Sequence, residues 1–237
     1  MSKKRIPALI IVLMMLLNIF SFQASFADDH KVTNSEIGVF INSDGSARIS
    51  EVRQAYLTEG TENYIVIGNL GESTIVDFQV REDGRVYEYQ DEWDINDSRE
   101  EKRFKNGIID TGGGYELSWG IGEYGEHEYI IEYTITDFIK ETQDGQIMFW
   151  RFVNDELNTP PENLTITIES DQAFNQGEAE IYAFGYEGDI QFVDGKIKAQ
   201  SSQPLTSVNY ATILVGLPQG MFETNDYLDT TFQEIKD

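Results

Sequence analysis

The segment GEYGEHEYIIEYTITDF, residues 122–138, crowds one of the chain's two histidines among Glu123, Glu126, Glu128, Glu132 and Asp137. An imidazole among carboxylates could do general acid–base work or hold a metal. The spacing argues against both. Read as a strand, the segment puts His127, Tyr129, Ile131, Tyr133 and Ile135 on one face, and Glu128, Ile130, Glu132, Thr134 and Thr136 on the other. Glu128 and Glu132 then stand roughly 13 Å apart on a solvent face. That exceeds the separation of about 5 Å in a retaining glycosidase and the usual inverting range. The pair His127-Glu128 is followed by Tyr-Ile-Ile, so the H-E-x-x-H zinc spacing is missing. His127 is expected to be structural: inward-facing and hydrogen-bonded at the start of its strand. With His30 near the mature N-terminus, a histidine-based triad has one credible histidine and no marked nucleophile.

A second candidate is the polar run DEWDINDSREEKRFKN, residues 91–106, expected to be a long exposed loop. Asp94, Asn96 and Ser98 alternate as in a calcium loop, but an EF-hand also needs Gly at its sixth position and Glu at its twelfth. Arg99 and Lys105 stand there. What remains is a looser calcium site from Asp94, Asn96 and Asp97. Trp93 lies in the same polar run and is expected to be exposed, whereas Trp119 and Trp150 sit in strong strand patterns and belong to the core. Trp93, Asp94, Asn96 and Asp97 are therefore the binding candidates; no catalytic residue and no firm metal ligand emerges. The glycines 112–114 form a loop with no Lys-Ser/Thr after them, so they do not cradle phosphate.

The elements that must carry these residues are strands. Runs such as EIGVFIN, STIVDFQV, QIMFWRFV, NLTITIES and VNYATILVGL are rich in β-branched and aromatic residues. Asp-Gly recurs at residues 44, 83, 144 and 194, and this dipeptide favours the tight turns of hairpins. No segment holds a helical period over three turns. The fold expected is all-β, an antiparallel β-sandwich, immunoglobulin-like or jelly-roll-like, built as one sandwich or as two packed sub-sandwiches. The Pro160-Pro161 pair cannot sit in a central strand and reads as a rigid connection.

The ends and the composition bound location. Lys3, Lys4 and Arg5 precede an apolar stretch, Ile6 to Phe22, and then Ala-Ser-Phe-Ala. This reads as a signal peptide over 1–27, removed after Ala27. An extracytoplasmic domain is expected over 28–220 and an acidic tail or stalk over 221–237. The chain has 17 Lys and Arg against 42 Asp and Glu, a formal net charge of −25, and none of the acids precedes residue 28. Such a field repels nucleic acid and anionic lipid. There is no cysteine, which excludes disulfides, thiolate metal sites and cysteine nucleophiles. A chain of this length can rely on its core, burying roughly 70% of its unfolded surface.

The order of segments carries a resemblance. The strand–Asp-Gly-Ser–strand opening, IGEYGEHEYIIEYTI, MFWRFVNDELNTPPENLTITI and LVGLPQGMF follow one another over most of residues 33–222. The most specific parts are Gly125 to Tyr133 and Pro161 to Thr167. This resembles the extracytoplasmic N-terminal region of bacterial predicted membrane proteins with domain of unknown function 2207. The resemblance implies a signal peptide, an outside β-rich domain, and then a transmembrane helix with a cytoplasmic tail. It supplies no catalytic residues. This chain departs from the pattern by stopping at Asp237, and so reads as a truncated product, a secreted variant or part of a longer protein. The function expected is a non-catalytic exported module at the bacterial cell envelope that binds, senses or scaffolds an unknown envelope component without a cofactor. The alternatives are an envelope glycan hydrolase and a calcium-stabilised adhesive module.

Overall fold

The computed structural model describes residues 30–68 and 70–237. The expected signal peptide, and with it the cleavage point after Ala27, lies outside the described residues. In chain order the elements are β1 (Lys31–Ile41), β2 (Ala47–Leu57), β3 (Glu62–Gly68), β4 (Ile75–Glu82), β5 (Arg85–Val86), β6 (Glu88–Gln90), helix α1 (Arg99–Lys102), β7 (Lys105–Asp110), β8 (Gly114–Gly120), β9 (Gly125–Ile135), β10 (Lys140–Glu141), β11 (Gln146–Val153), β12 (Leu164–Ser170), β13 (Glu180–Phe184), β14 (Gly188–Val193), β15 (Lys196–Ser201), β16 (Ala211–Leu217) and helix α2 (Phe232–Lys236). The fold is all-β and sandwich-like, as the strand patterns predict.

Three sheets form. The largest has eight strands in the order β14-β15-β12-β1-β2-β9-β4-β5. Two four-stranded sheets, β3-β8-β7-β6 and β10-β11-β16-β13, share a hydrophobic core with it. Trp119 of β8 meets Tyr129 of β9 edge-on at 5.7 Å between ring centroids, while Trp150 of β11 is only half-buried and leans on Phe138 at 5.2 Å. Strand β9 alternates as read from sequence, with Tyr129, Ile131, Tyr133 and Ile135 buried. Asp83-Gly84 and Asp194-Gly195 make tight two-residue turns with both residues at positive φ, joining β4 to β5 and β14 to β15.

Pairing is not wholly antiparallel. β1 runs parallel to β12 and β6 parallel to β7. Hairpin turns enforce antiparallel pairing only between sequence neighbours. β12 instead enters the sheet after the Pro160-Pro161 connection and lies alongside a strand more than a hundred residues earlier. There Pro161 makes a single parallel bridge to Val32.

The segment 221–237, read as a tail or stalk, packs onto the third sheet. Phe222 is buried, Leu228 N–H donates to the Glu141 carbonyl at 2.8 Å, and Asp226 pairs with Lys140. The Phe232 ring lies so close to Gly216 that a Cβ there would sit 2.7 Å from it. Every residue of β16 is buried: Ala211, Ile213, Val215 and Leu217 belong to the hydrophobic core, and Phe232 covers Gly216 on the other face.

Candidate functional site

A cleft of ≈ 470 Å³ opens where strand β3, the inner face of β1 and β2, and the connection after β11 meet. That volume lies in the range of small-ligand sites. Val32, Ile37, Ile65, Phe152 and Leu157 give it apolar walls. Its floor is polar because β2 carries charge on its inward face. The inward set of β2 runs Ala47, Ile49, Glu51, Arg53, Ala55, Leu57. A carboxylate and a guanidinium thus occupy core positions in an interior strand.

Burying these two groups requires that they satisfy each other. Arg53 Nε donates to Glu51 Oε1 at 2.7 Å, and a second guanidinium N–H donates to Oε2 at 3.0 Å. Ser35 Oγ donates to Oε1 at 2.8 Å. A bulge at Thr33, between the paired residues Val32 and Asn34, shifts the alternation of β1 so that Val32 and Ser35 both face inward. Arg53 lies 5.3 Å from the centroid of Trp119. The indole nitrogen of Trp119 and the carboxamide nitrogen of Asn63, its cross-strand neighbour, are buried without hydrogen-bond partners.

The opposite wall explains Trp93. Its indole N–H donates to Glu62, a cleft-lining residue, and its ring lies against Gly107, where a Cβ would come within 3.1 Å of it. Trp93 is therefore half-buried and anchored, not the exposed platform expected from its polar surroundings. Nor is 91–106 simply an exposed loop. Ser98 caps the short helix α1 with a capping box, and Lys102 at its end is 2% exposed. Lys102 Nζ donates to the Ile95 carbonyl at 2.7 Å and to Thr61 Oγ1 at 3.3 Å, and pairs with Glu62 at 3.2 Å. Gly120 permits this seat: a Cβ there would lie 1.9 Å from the Lys102 carbonyl oxygen.

Asp94, Asn96 and Asp97 stay at the surface of this loop, outside the cleft. Asp94 Oδ1 accepts from both the backbone and the side-chain amide of Asn96, at 2.8 and 2.9 Å, and these bonds hold the Asp94 carboxyl below the usual aspartate range. Among the described residues, no three acidic or histidine side chains converge as metal ligands.

His127 faces inward, as expected, where β4 ends. Its Nδ1 is 2.5 Å from Glu82 Oε1 and its Nε2 is 2.8 Å from the Glu123 carbonyl oxygen. Both partners are acceptors, so the doubly protonated ring satisfies both. Burial alone would lower the His127 pKa, but the hydrogen bond and charge of Glu82 outweigh it and leave it raised. Burial alone would raise that of Glu82, but hydrogen bonds from His127 and Tyr87 leave it lowered. Tyr87 donates at 2.6 Å to Glu82, and burial first, then this carboxylate, push its pKa up. On the solvent face, Glu128 takes a bond from Gln54 and Glu132 pairs with Arg81.

Sequence reasoning missed the cleft residues Glu51, Arg53 and Glu62 and the buried Lys102. For the first two a signal existed. Counting by twos from Ala47 and Ile49 to Ala55 and Leu57 places both on the core face.

A family described as the N-terminal domain of predicted membrane proteins, DUF2207, matches residues 31–213. The chain belongs to this family. A comparison with curated proteins gave no match. Several solved structures are similar to parts of this DUF2207 domain at low identity. Leukotriene A4 hydrolase from Saccharomyces cerevisiae is 12% identical with a TM-score of 0.47, over 79% of this chain and 29% of that one. An M1 zinc metallopeptidase from Deinococcus radiodurans is 12% identical with a TM-score of 0.37, over 78% and 42%. A candidate protease from Parabacteroides distasonis is 14% identical with a TM-score of 0.42, over 79% and 40%. The chain spans less than half the length of each. Among the described residues, no helix of the DUF2207 domain is long and apolar enough to cross a membrane.

Proposed function

We propose that this DUF2207 domain is a non-catalytic binding module on the outer face of a bacterial cytoplasmic membrane, exported by its N-terminal signal and taking an envelope component into the cleft beside β3. The observation that carries this reading is how the titratable groups around the cleft are used. Lining the cleft, Glu51 is held by Arg53 and Ser35 and Glu62 by Lys102 and Trp93; beyond it, His127 is held by Glu82 and a carbonyl. Catalytic acids and bases work from positions where a proton can be exchanged with substrate. Here the buried charges are engaged in holding elements together, with Glu59 at the rim the exposed exception, and they shape a recess with apolar walls and a polar floor, the usual makeup of a binding pocket.

The purified domain, residues 28–237, should co-sediment with envelope preparations. Replacing the exposed rim residue Asn158 with Trp should fill the cleft mouth and reduce that binding. Release of soluble fragments from peptidoglycan or polysaccharide, abolished by a single carboxylate-to-amide change in a folded variant, would give the hydrolase reading instead.

A further inference from the structure

We propose that the occupant of the cleft is an extended, basic peptide segment of another protein, added as a strand to the free edge of β3; this rests on the cleft being the binding site. β3 pairs on one side only, with β8, and is the terminal strand of its sheet. The bond from Ile121 N–H to the Thr61 carbonyl sets the register of the ladder. In an antiparallel pair, alternate residues turn their backbone groups toward the partner. Thr61, Asn63, Ile65 and Ile67 therefore bond β8, while Glu62, Tyr64 and Val66 turn theirs away. The Val66 carbonyl confirms this direction, because the Asn154 side chain donates to it from outside the sheet at 2.7 Å.

This edge opens on the cleft. Asn63, Tyr64, Ile65 and Val66 line one side of it, facing the inner surface of β1 and β2. An unpaired edge is a template for another strand, and native folds usually blunt it with charge, proline or cover. β3 instead leaves Tyr64 and Val66 46% and 43% exposed, on a strand with no proline. The outward backbone groups repeat every two residues, roughly 6.8 Å. An extended peptide repeats its N–H and C=O groups at that interval, whereas a glycan has no such array. Strand addition of this kind draws affinity from the main chain and selectivity from side-chain pockets.

Charge selects the peptide. Glu59 stands at the cleft, exposed and without an ion pair among the described residues, on a chain of net charge −25, while Glu62 is already paired with Lys102. Lysine or arginine side chains on the incoming strand fit this wall. A second copy of the same chain would bring acid against acid.

The test uses a fluorescent octapeptide of alternating threonine and lysine, its glutamate counterpart, and a version N-methylated on alternate residues. The lysine peptide should bind, and the glutamate peptide should bind more weakly. N-methylation should weaken binding about tenfold, as should Tyr64→Pro, which removes an N–H that β8 does not use. Lysine-peptide affinity unchanged by both would overturn strand addition. A concentration-dependent dimer that Tyr64→Pro abolishes would overturn it in favour of self-pairing. If no peptide binds but Asn158→Trp still reduces envelope binding, the peptide inference falls and the cleft reading stands. If Asn158→Trp also has no effect, both fall.

Discussion

Arg53 reaches back along its own strand to clasp Glu51, two residues earlier, through two hydrogen bonds of 2.7 and 3.0 Å on the core side of the eight-stranded sheet. Removing one partner leaves the other charged and largely buried. Glu51→Ala should therefore cost about 3–5 kcal/mol, while replacing both residues with apolar ones of similar volume should cost much less. Urea unfolding of the two variants gives the comparison. Equal losses would mean that the clasp is not the source of the cost.

The His127–Glu82 pair makes stability depend on pH with a definite sign. The His127 pKa is raised from its ordinary 6.5, so its contribution is complete below that value and is lost as pH rises through the folded pKa. The Glu82 pKa is lowered from its ordinary 4.5, so its contribution is complete above that value and is lost as pH falls through the folded pKa. The pair stabilises most between these two ordinary values. His127→Gln should cost roughly 1–3 kcal/mol in that window and less at pH 9. Melting curves of both proteins across pH measure this, and a constant difference would contradict it.

Lys102 ties α1 to the cleft wall through Glu62, Thr61 and Ile95. Lys102→Met should lower stability by roughly 1–3 kcal/mol and make residues 93–101 the first site of limited proteolysis. Gly120→Ala should do the same from the other side, because its methyl group cannot fit beneath the Lys102 carbonyl. Proteolysis starting elsewhere in both variants would show that the loop is held by other contacts.

Trp93→Ala should destabilise the domain by about 2 kcal/mol, since a half-buried ring and its bond to Glu62 are both lost. Envelope binding should weaken along with the loosened cleft wall. A variant of unchanged melting temperature would return Trp93 to the exposed role that its surroundings suggest.

Calcium at millimolar concentration should leave the melting temperature within about 1 °C of that in chelator, because only selective binding to the folded state would raise it. The Asp94 carboxylate already accepts from two Asn96 nitrogens, and the Asn96 side chain turns its NH₂ group toward that acid. A clear rise with calcium would restore the cation site at this loop.

Much of the fold is legible in the sequence because strand alternation is a local property. The faces of β9, the inward His127 and the Asp-Gly hairpins follow from residue type and period alone, and the order of segments points to the DUF2207 family. Tertiary structure decided what lies between strands distant in sequence. The parallel seat of β12 beside β1, and the packing of 221–237 onto β10, β11 and β16, depend on contacts between segments more than a hundred or several tens of residues apart. No local propensity encodes those contacts. Trp93 and Lys102 show the same limit. Both lie in a run whose composition signals solvent, yet each is drawn inward by a partner elsewhere: the carboxylate of Glu62 for both, and the missing side chain of Gly120 for Lys102. Burial of a polar group depends on whether its partner arrives, and only the assembled sheets bring that partner within reach.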